Sequence, residues 1–192
     1  MSYFEEQLIL HVSPVISGLK ASNMFSIPIK AACTVRDDFC IYCKILSEKG
    51  LKMRFLYALA DKVHVFVYNV KLIKEIISDS NVKAFLLKCG YPPESSITDM
   101  INFLKVRINN NKGFPHEIGF FFGYPKDDVF EFIFNDGKNY KFCGCWKVYT
   151  DELKAAEMFN SYRKIRDSYL KMAKEGIPVQ RIVSAAWLNI TF

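Results

Sequence analysis

At 192 residues the chain has a length that one core can organise, and with 51% hydrophobic and 15% aromatic residues, 17 Phe and 10 Tyr among them, it is not a largely disordered chain. Its formal charge of +6 comes from 26 Lys and Arg against 20 Asp and Glu scattered along the sequence, whereas a nucleic-acid groove concentrates its basic residues, so nucleic acid is not an expected partner. Glu5 and Glu6 stand where a signal peptide carries lysines, and apolar runs such as residues 118–124 fall far short of the roughly 20 residues of a bilayer crossing, so the sequence predicts a cytoplasmic protein without membrane contact whose six cysteines are reduced.

Ser2 with Glu5 three residues on is a capping box and predicts a helix over residues 3–11, broken by Pro14 and Gly18. A second helix is predicted over 32–47, closed by Gly50. Met53, Phe55, Tyr57 and Leu59 alternate, as do Val63, Val65 and Val67, and residues 60–62 join the two runs as a β-hairpin. A helical pair over 72–78 and 81–89 ends at GYPP. Ser96 and Asp99 then cap a helix that carries Ile97, Ile101, Leu104 and Ile108 at helical spacing. NNNKG reads as a loop, and the apolar run over 117–122 as a strand emerging from it. Pro125 opens a short helix over 127–134 with Asp127 and Asp128 near its positive end. NDGKN is a turn, and YKFCGCWKVY is read as one strand. Thr150 is read as the cap of a long amphipathic helix carrying Ala155, Met158, Tyr162, Ile165, Tyr169 and Met172, stopped by Gly176, and Pro178 starts a last helix over 179–187. With no repeat, low-complexity tract or linker, this order predicts one α+β domain over residues 1–192: a small mixed β-sheet, packed helices and the long C-terminal helix.

Candidate chemistry is sparse. His-Glu-x-x-His would set two imidazoles on one helix face for zinc, but Phe120 stands where the second histidine is needed. Cys40 with Cys43 and Cys143 with Cys145 could supply four thiolates, yet the first pair lies in an apolar helical stretch without the turn residues of a zinc knuckle, so no metal is expected. Gly119 and Gly123 lack the Lys-Ser or Lys-Thr of a phosphate loop, and no cofactor is expected. His64 falls within a strand and His11 at a helix end; Arg163, Lys164, Arg166, Lys171 and Lys174 read as a solvated helix face. His116 and Glu117 are neighbours, so on an extended backbone they point to opposite faces and need partners from elsewhere. His116 is the candidate general base, with Asp127, Asp128, Tyr124 or Lys147 as candidate partners in the fold; the alternative is a histidine that merely caps or hydrogen-bonds at a sheet edge.

Three stretches, SPVISGLKASNMFS, FPHEIGFFFGYPKDDV and GKNYKFCGCWKVY, resemble in order and spacing a bacterial domain-of-unknown-function family, family 3793, over most of the chain. Its pattern runs His-Glu-Ile-Gly-x-Phe-Leu-Gly-Tyr-Pro, then Asp-Val, then Gly-Tyr-Trp-Lys-Val-Tyr. The resemblance carries no activity. It implies that His116, Glu117, Gly119, Gly123, Tyr124, Pro125, Asp128, Trp146, Lys147 and Tyr149 form one shared feature, either a site or a packing core. The family's early His-Cys-Ala-Pro-Thr-Leu is here His11 to Ile16 with Val12 in the cysteine's place, which removes a thiol-enzyme mechanism from that position; Cys145 stands where the family has Tyr.

Two functions of different class follow. The first is an accessory or binding protein for a small molecule or a protein partner, with Tyr124, Trp146, Lys147 and Tyr149, and Lys20 from the first stretch, as binding residues. The second is a hydrolase or group-transfer enzyme in which His116 is the base and Glu117 or Asp128 orients it. The binding protein is the favoured reading.

Overall fold

The computed structural model describes residues 1–31, 35–110 and 114–186, with the side chain of Leu59 also outside the description. They divide into two compact units, one formed by Met1–Val70 with the chain from Ser161 onward, the other by Lys71–Asn160. The fold class is α+β, as the element order predicts.

In the first unit, α1 (Tyr3–Ile16) starts on the expected capping box, with Ser2 accepting from the Glu5 amide and Glu5 from the Ser2 amide. It continues five residues past the predicted end, through Pro14. A proline in the last turn removes one backbone bond, and burial of Val12, Val15 and Ile16 outweighs that loss. β1 (Ser22–Pro28) was not predicted. It is a short edge strand whose Phe25 and Ile27 face the core, and the edge position tolerates Pro28. A 3-10 turn (Ile29–Ala31) leads to residues 32–34, so the start of the second predicted helix lies outside the described residues. Val35 precedes α2 (Arg36–Ser47), which ends where predicted. The predicted hairpin is present as β2 (Leu51–Leu59) and β3 (Lys62–Asn69). β3 is the centre of the sheet, flanked by β1 and β2, and both pairings are antiparallel, so the expected mixed sheet is a purely antiparallel one; the two-residue connection between β2 and β3 permits only an antiparallel pair there. One apolar cluster holds the unit together: Phe4, Leu8 and Val12 of α1, Leu46 of α2, Val65 and Val67 of β3, and Val179 and Ile182 of α9 (Val179–Ala185). Residue 187, the predicted end of that last helix, is outside the described residues.

The second unit carries the candidate site. α3 (Val70–Ser78) and α4 (Ser80–Lys88) are the predicted pair, with Asp79 capping α4 by accepting from the Asn81 and Val82 amides. α5 (Ile97–Asn110) starts at the predicted Ser96 and Asp99 pairing and buries Ile101, Leu104 and Ile108; the remainder of NNNKG, residues 111–113, is outside the description. The predicted strand over 117–122 is instead a helical turn, α6 (Ile118–Phe121). Ile118, Gly119, Phe120 and Phe121 are all buried, and a short run buried on every side has no period by which strand and helix differ. α7 (Lys126–Phe134) follows as predicted. The single strand expected over 140–149 is a small antiparallel hairpin, β4 (Phe142–Cys143) and β5 (Lys147–Val148), with Gly144, Cys145 and Trp146 as its turn. α8 (Glu152–Lys174) is the long helix, of which the residues up to Asn160 belong to this unit. Its cap is Asp151, which accepts from the Lys154 amide, whereas the predicted Thr150 turns its hydroxyl to Asp128.

No helix among the described residues is long and apolar enough to cross a membrane.

Candidate functional site

The site grows from the turn that ends α6. Gly123 takes φ 73°, its amide donates to the Phe120 carbonyl at 3.0 Å, and the Tyr124 amide donates to the Gly119 carbonyl at 3.0 Å. This is the pair of bonds of a Schellman motif, which needs a left-handed residue just past the helix, the reason for glycine at 123. Pro125 then directs the chain into α7. A Cβ on Gly119 would lie 2.9 Å from Val129 Cγ2 and 3.5 Å from Tyr124 Cδ2, so the bare backbone of α6 rests directly on α7.

Asp128, in the first turn of α7 and 2% exposed, joins this turn to the hairpin. Its Oδ2 accepts from Trp146 Nε1 at 2.8 Å. Its Oδ1 accepts from the Tyr149 amide at 2.9 Å, the Thr150 amide at 2.9 Å and Thr150 Oγ1 at 2.8 Å. Trp146 is thereby held with its ring stacked on Tyr124 at 5.1 Å and edge-on to Phe159 of α8 at 4.5 Å. Gly144 makes room for Phe159, because a Cβ there would fall 2.2 Å from Phe159 Cε2. Tyr124 is half-buried, and burial first, then Cys145 beside it, pushes its phenol up to about 12.

Between these elements lies a hollow of ≈ 360 Å³. Phe114, Pro115, Ile118, Val129 and Phe132 supply apolar wall, Tyr124 and Trp146 an aromatic one, and His116, Cys143, Cys145 and Lys147 its polar groups besides Asp128. The His116 ring meets Phe132 edge-on at 5.2 Å. Lys147 Nζ donates to the Gly137 carbonyl at 2.7 Å and sits 4.8 Å from the centre of the Tyr140 ring and 5.7 Å from that of Phe132. Cys143 and Cys145 are exposed free thiols. A second, more open hollow of ≈ 440 Å³ shares Phe114, Pro115 and His116 and also meets Arg107 and Glu117.

His116, Asp128, Tyr124, Trp146 and Lys147 thus line one hollow, and the segments around Gly119 and Lys147 are neighbours as the motif implied. Of the carboxylates named as partners of His116, Asp127 is exposed and does not line the hollow, and Glu117 and Asp128 are engaged elsewhere. Glu117, 3% exposed, accepts from Arg107 Nε and, at 3.4 Å, from the Tyr91 hydroxyl, while Asp128 accepts four bonds from the hairpin; neither is hydrogen-bonded to His116. Tyr149 is buried, its hydroxyl without a hydrogen-bond partner among the described residues, and desolvation followed by the Asp128 and Glu131 carboxylates raises its pKa. Lys20 lies in the other unit, where its Nζ donates to Asn23 Oδ1 at 3.1 Å. Phe132 and Arg107 were not legible as site residues: one sits among the apolar positions of α7, the other among the scattered basic residues. Among the described residues no three of His, Cys, Asp and Glu gather as a metal site.

A family model described as a protein of unknown function (DUF3793) matches residues 8–183, and the chain belongs to that family. No curated protein and no solved structure matches it.

Proposed function

We propose, for this member of a family without an assigned activity, that the chain is a cytoplasmic binding protein whose hollow between α6, α7 and the β4–β5 hairpin takes a compact, mostly apolar small molecule. The observation that carries the reading is the hollow itself: ≈ 360 Å³ with aromatic and aliphatic walls and a few polar groups at hand, a size and lining typical of small-ligand sites. What supports binding over hydrolytic chemistry is that Glu117 and Asp128 spend their acceptors on Arg107, Tyr91 and the hairpin, so neither of them orients His116. A cytoplasmic setting suits two exposed thiols beside the hollow, since they stay reduced there.

The test is equilibrium binding of the neutral fluorescent amine N-phenyl-1-naphthylamine, with maleimide labelling of the thiols read by mass spectrometry. Saturable one-to-one binding that shields Cys143 and Cys145, and that Cys143→Trp abolishes by filling the hollow, is expected. Binding that leaves both thiols fully reactive and survives Cys143→Trp, or no saturable binding, overturns the reading.

A further inference from the structure

We infer that the molecule taken by this hollow carries an acidic group, and that Lys147 holds it; the inference rests on the reading of the hollow as a ligand site. Lys147 stands directly across the hairpin from Cys143, and residues directly opposite project to the same face of a ladder, so ammonium and thiol arrive together at the hollow that both line. The ammonium is already positioned. Its bond to the Gly137 carbonyl uses one of three N–H donors, and the faces of Tyr140 and Phe132 fix its approach. Two donors remain. Among the described residues no carboxylate lies within ion-pair distance of it.

The one acid that lines the hollow among the described residues, Asp128, has both oxygens occupied by four donors and repels an incoming anion less than an unpaired carboxylate would. His116, whose imidazole can add a second N–H donor, lines the same hollow. Apolar walls lower the local dielectric and strengthen the attraction between a fixed ammonium and an anion that displaces water from it. A cation with spare donors, in an apolar recess, without a counter-ion among the described residues, is the arrangement that selects a carboxylate- or sulfonate-bearing ring compound over its neutral counterpart.

The experiment compares two probes with one ring skeleton, 8-anilinonaphthalene-1-sulfonate and neutral N-phenyl-1-naphthylamine, on the full chain. Affinity is measured by titration, and location by protection of Cys143 and Cys145 from maleimide. The unmodified protein is expected to prefer the sulfonate by about tenfold, the worth of one charge-assisted hydrogen bond. Lys147→Met should bring the two affinities within about twofold of each other by weakening the sulfonate more than the neutral probe, and Lys147→Arg should retain the preference. No preference in the unmodified protein, or a preference that persists in Lys147→Met, overturns the role of Lys147 while the hollow still binds. Failure of both probes to bind and shield the thiols overturns the ligand site itself, and this inference with it. Should Lys147→Met lose its native circular dichroism, the preference of the unmodified protein and its retention in Lys147→Arg decide the matter.

Discussion

Replacing Asp128 by alanine removes the acceptor on which α7, the hairpin and Trp146 converge. Four donors lose their partner: Trp146 Nε1, the Tyr149 and Thr150 amides and the Thr150 hydroxyl. Thr150 is exposed and its groups turn to water, but Trp146 and Tyr149 are buried, so the indole N–H and the Tyr149 amide are left without an acceptor. At roughly 1–3 kcal/mol for each buried unsatisfied donor the two amount to about 2–6 kcal/mol. Relief from no longer burying a carboxylate offsets part of this, and a net loss of about 2–4 kcal/mol is expected, a large share of the roughly 5–15 kcal/mol of an ordinary domain. Asp128→Asn keeps one oxygen for the backbone amides but sets an NH2 against the indole N–H, so its loss should be smaller, about 1–3 kcal/mol. Urea unfolding followed by Trp146 emission in a Trp187→Phe background measures both, and hydrogen exchange at the Tyr149 amide reports the local loosening. An alanine variant within about 0.5 kcal/mol of the parent, or an asparagine variant weaker than alanine, refutes the assignment of Asp128 as the acceptor that joins these elements.

Gly144→Ala places a methyl group 2.2 Å from Phe159 Cε2 and 2.4 Å from Cδ2, so a loss of about 1–3 kcal/mol by urea unfolding is expected, together with a changed near-ultraviolet dichroism of Trp146. Adding Phe159→Leu should recover part of the loss, a coupling of at least about 0.5 kcal/mol, and strictly additive single effects would show that the clash is not the cause. In the other unit, burial first and Lys62 second hold the His64 imidazole below its ordinary 6.5, against the Tyr57 ring at 4.2 Å. Its folded pKa being the lower one, the unfolded chain binds the proton first; the stability His64 contributes is complete above pH 6.5 and is lost as pH falls through the folded value. The urea midpoint should therefore drop more steeply between pH 7 and 5.5, working values bracketing the histidine range, in the parent than in His64→Gln, and parallel profiles contradict this sign.

Much of the secondary structure was legible because its causes are local. Ser2 and Glu5, and Ser96 and Asp99, satisfy helix-end amides within three residues, and alternation at Val63, Val65 and Val67 needs only the pleat. The segment IGFFF was misread for an equally local reason: burial on all sides erases periodicity, and the informative signal was Gly123 followed by Tyr-Pro, the pattern of a helix end. β1 was missed because an edge strand of seven residues holding two serines and a proline has almost no alternation to show.

By itself the sequence determined the fold class, since capping, turn chemistry and hydrophobic period act over a few residues, whereas the shared locality of the His116, Tyr124 and Trp146 segments was implied only by the resemblance to the family. Only the tertiary structure decided what those residues do there. Whether a carboxylate serves a histidine or a neighbour depends on partners distant in the chain: Glu117 is taken by Arg107 ten residues before it and Tyr91 twenty-six before, and Asp128 by Trp146 eighteen residues after. Lys147 keeps spare donors for the same reason, because folding brings it a carbonyl and two rings but, among the described residues, no carboxylate.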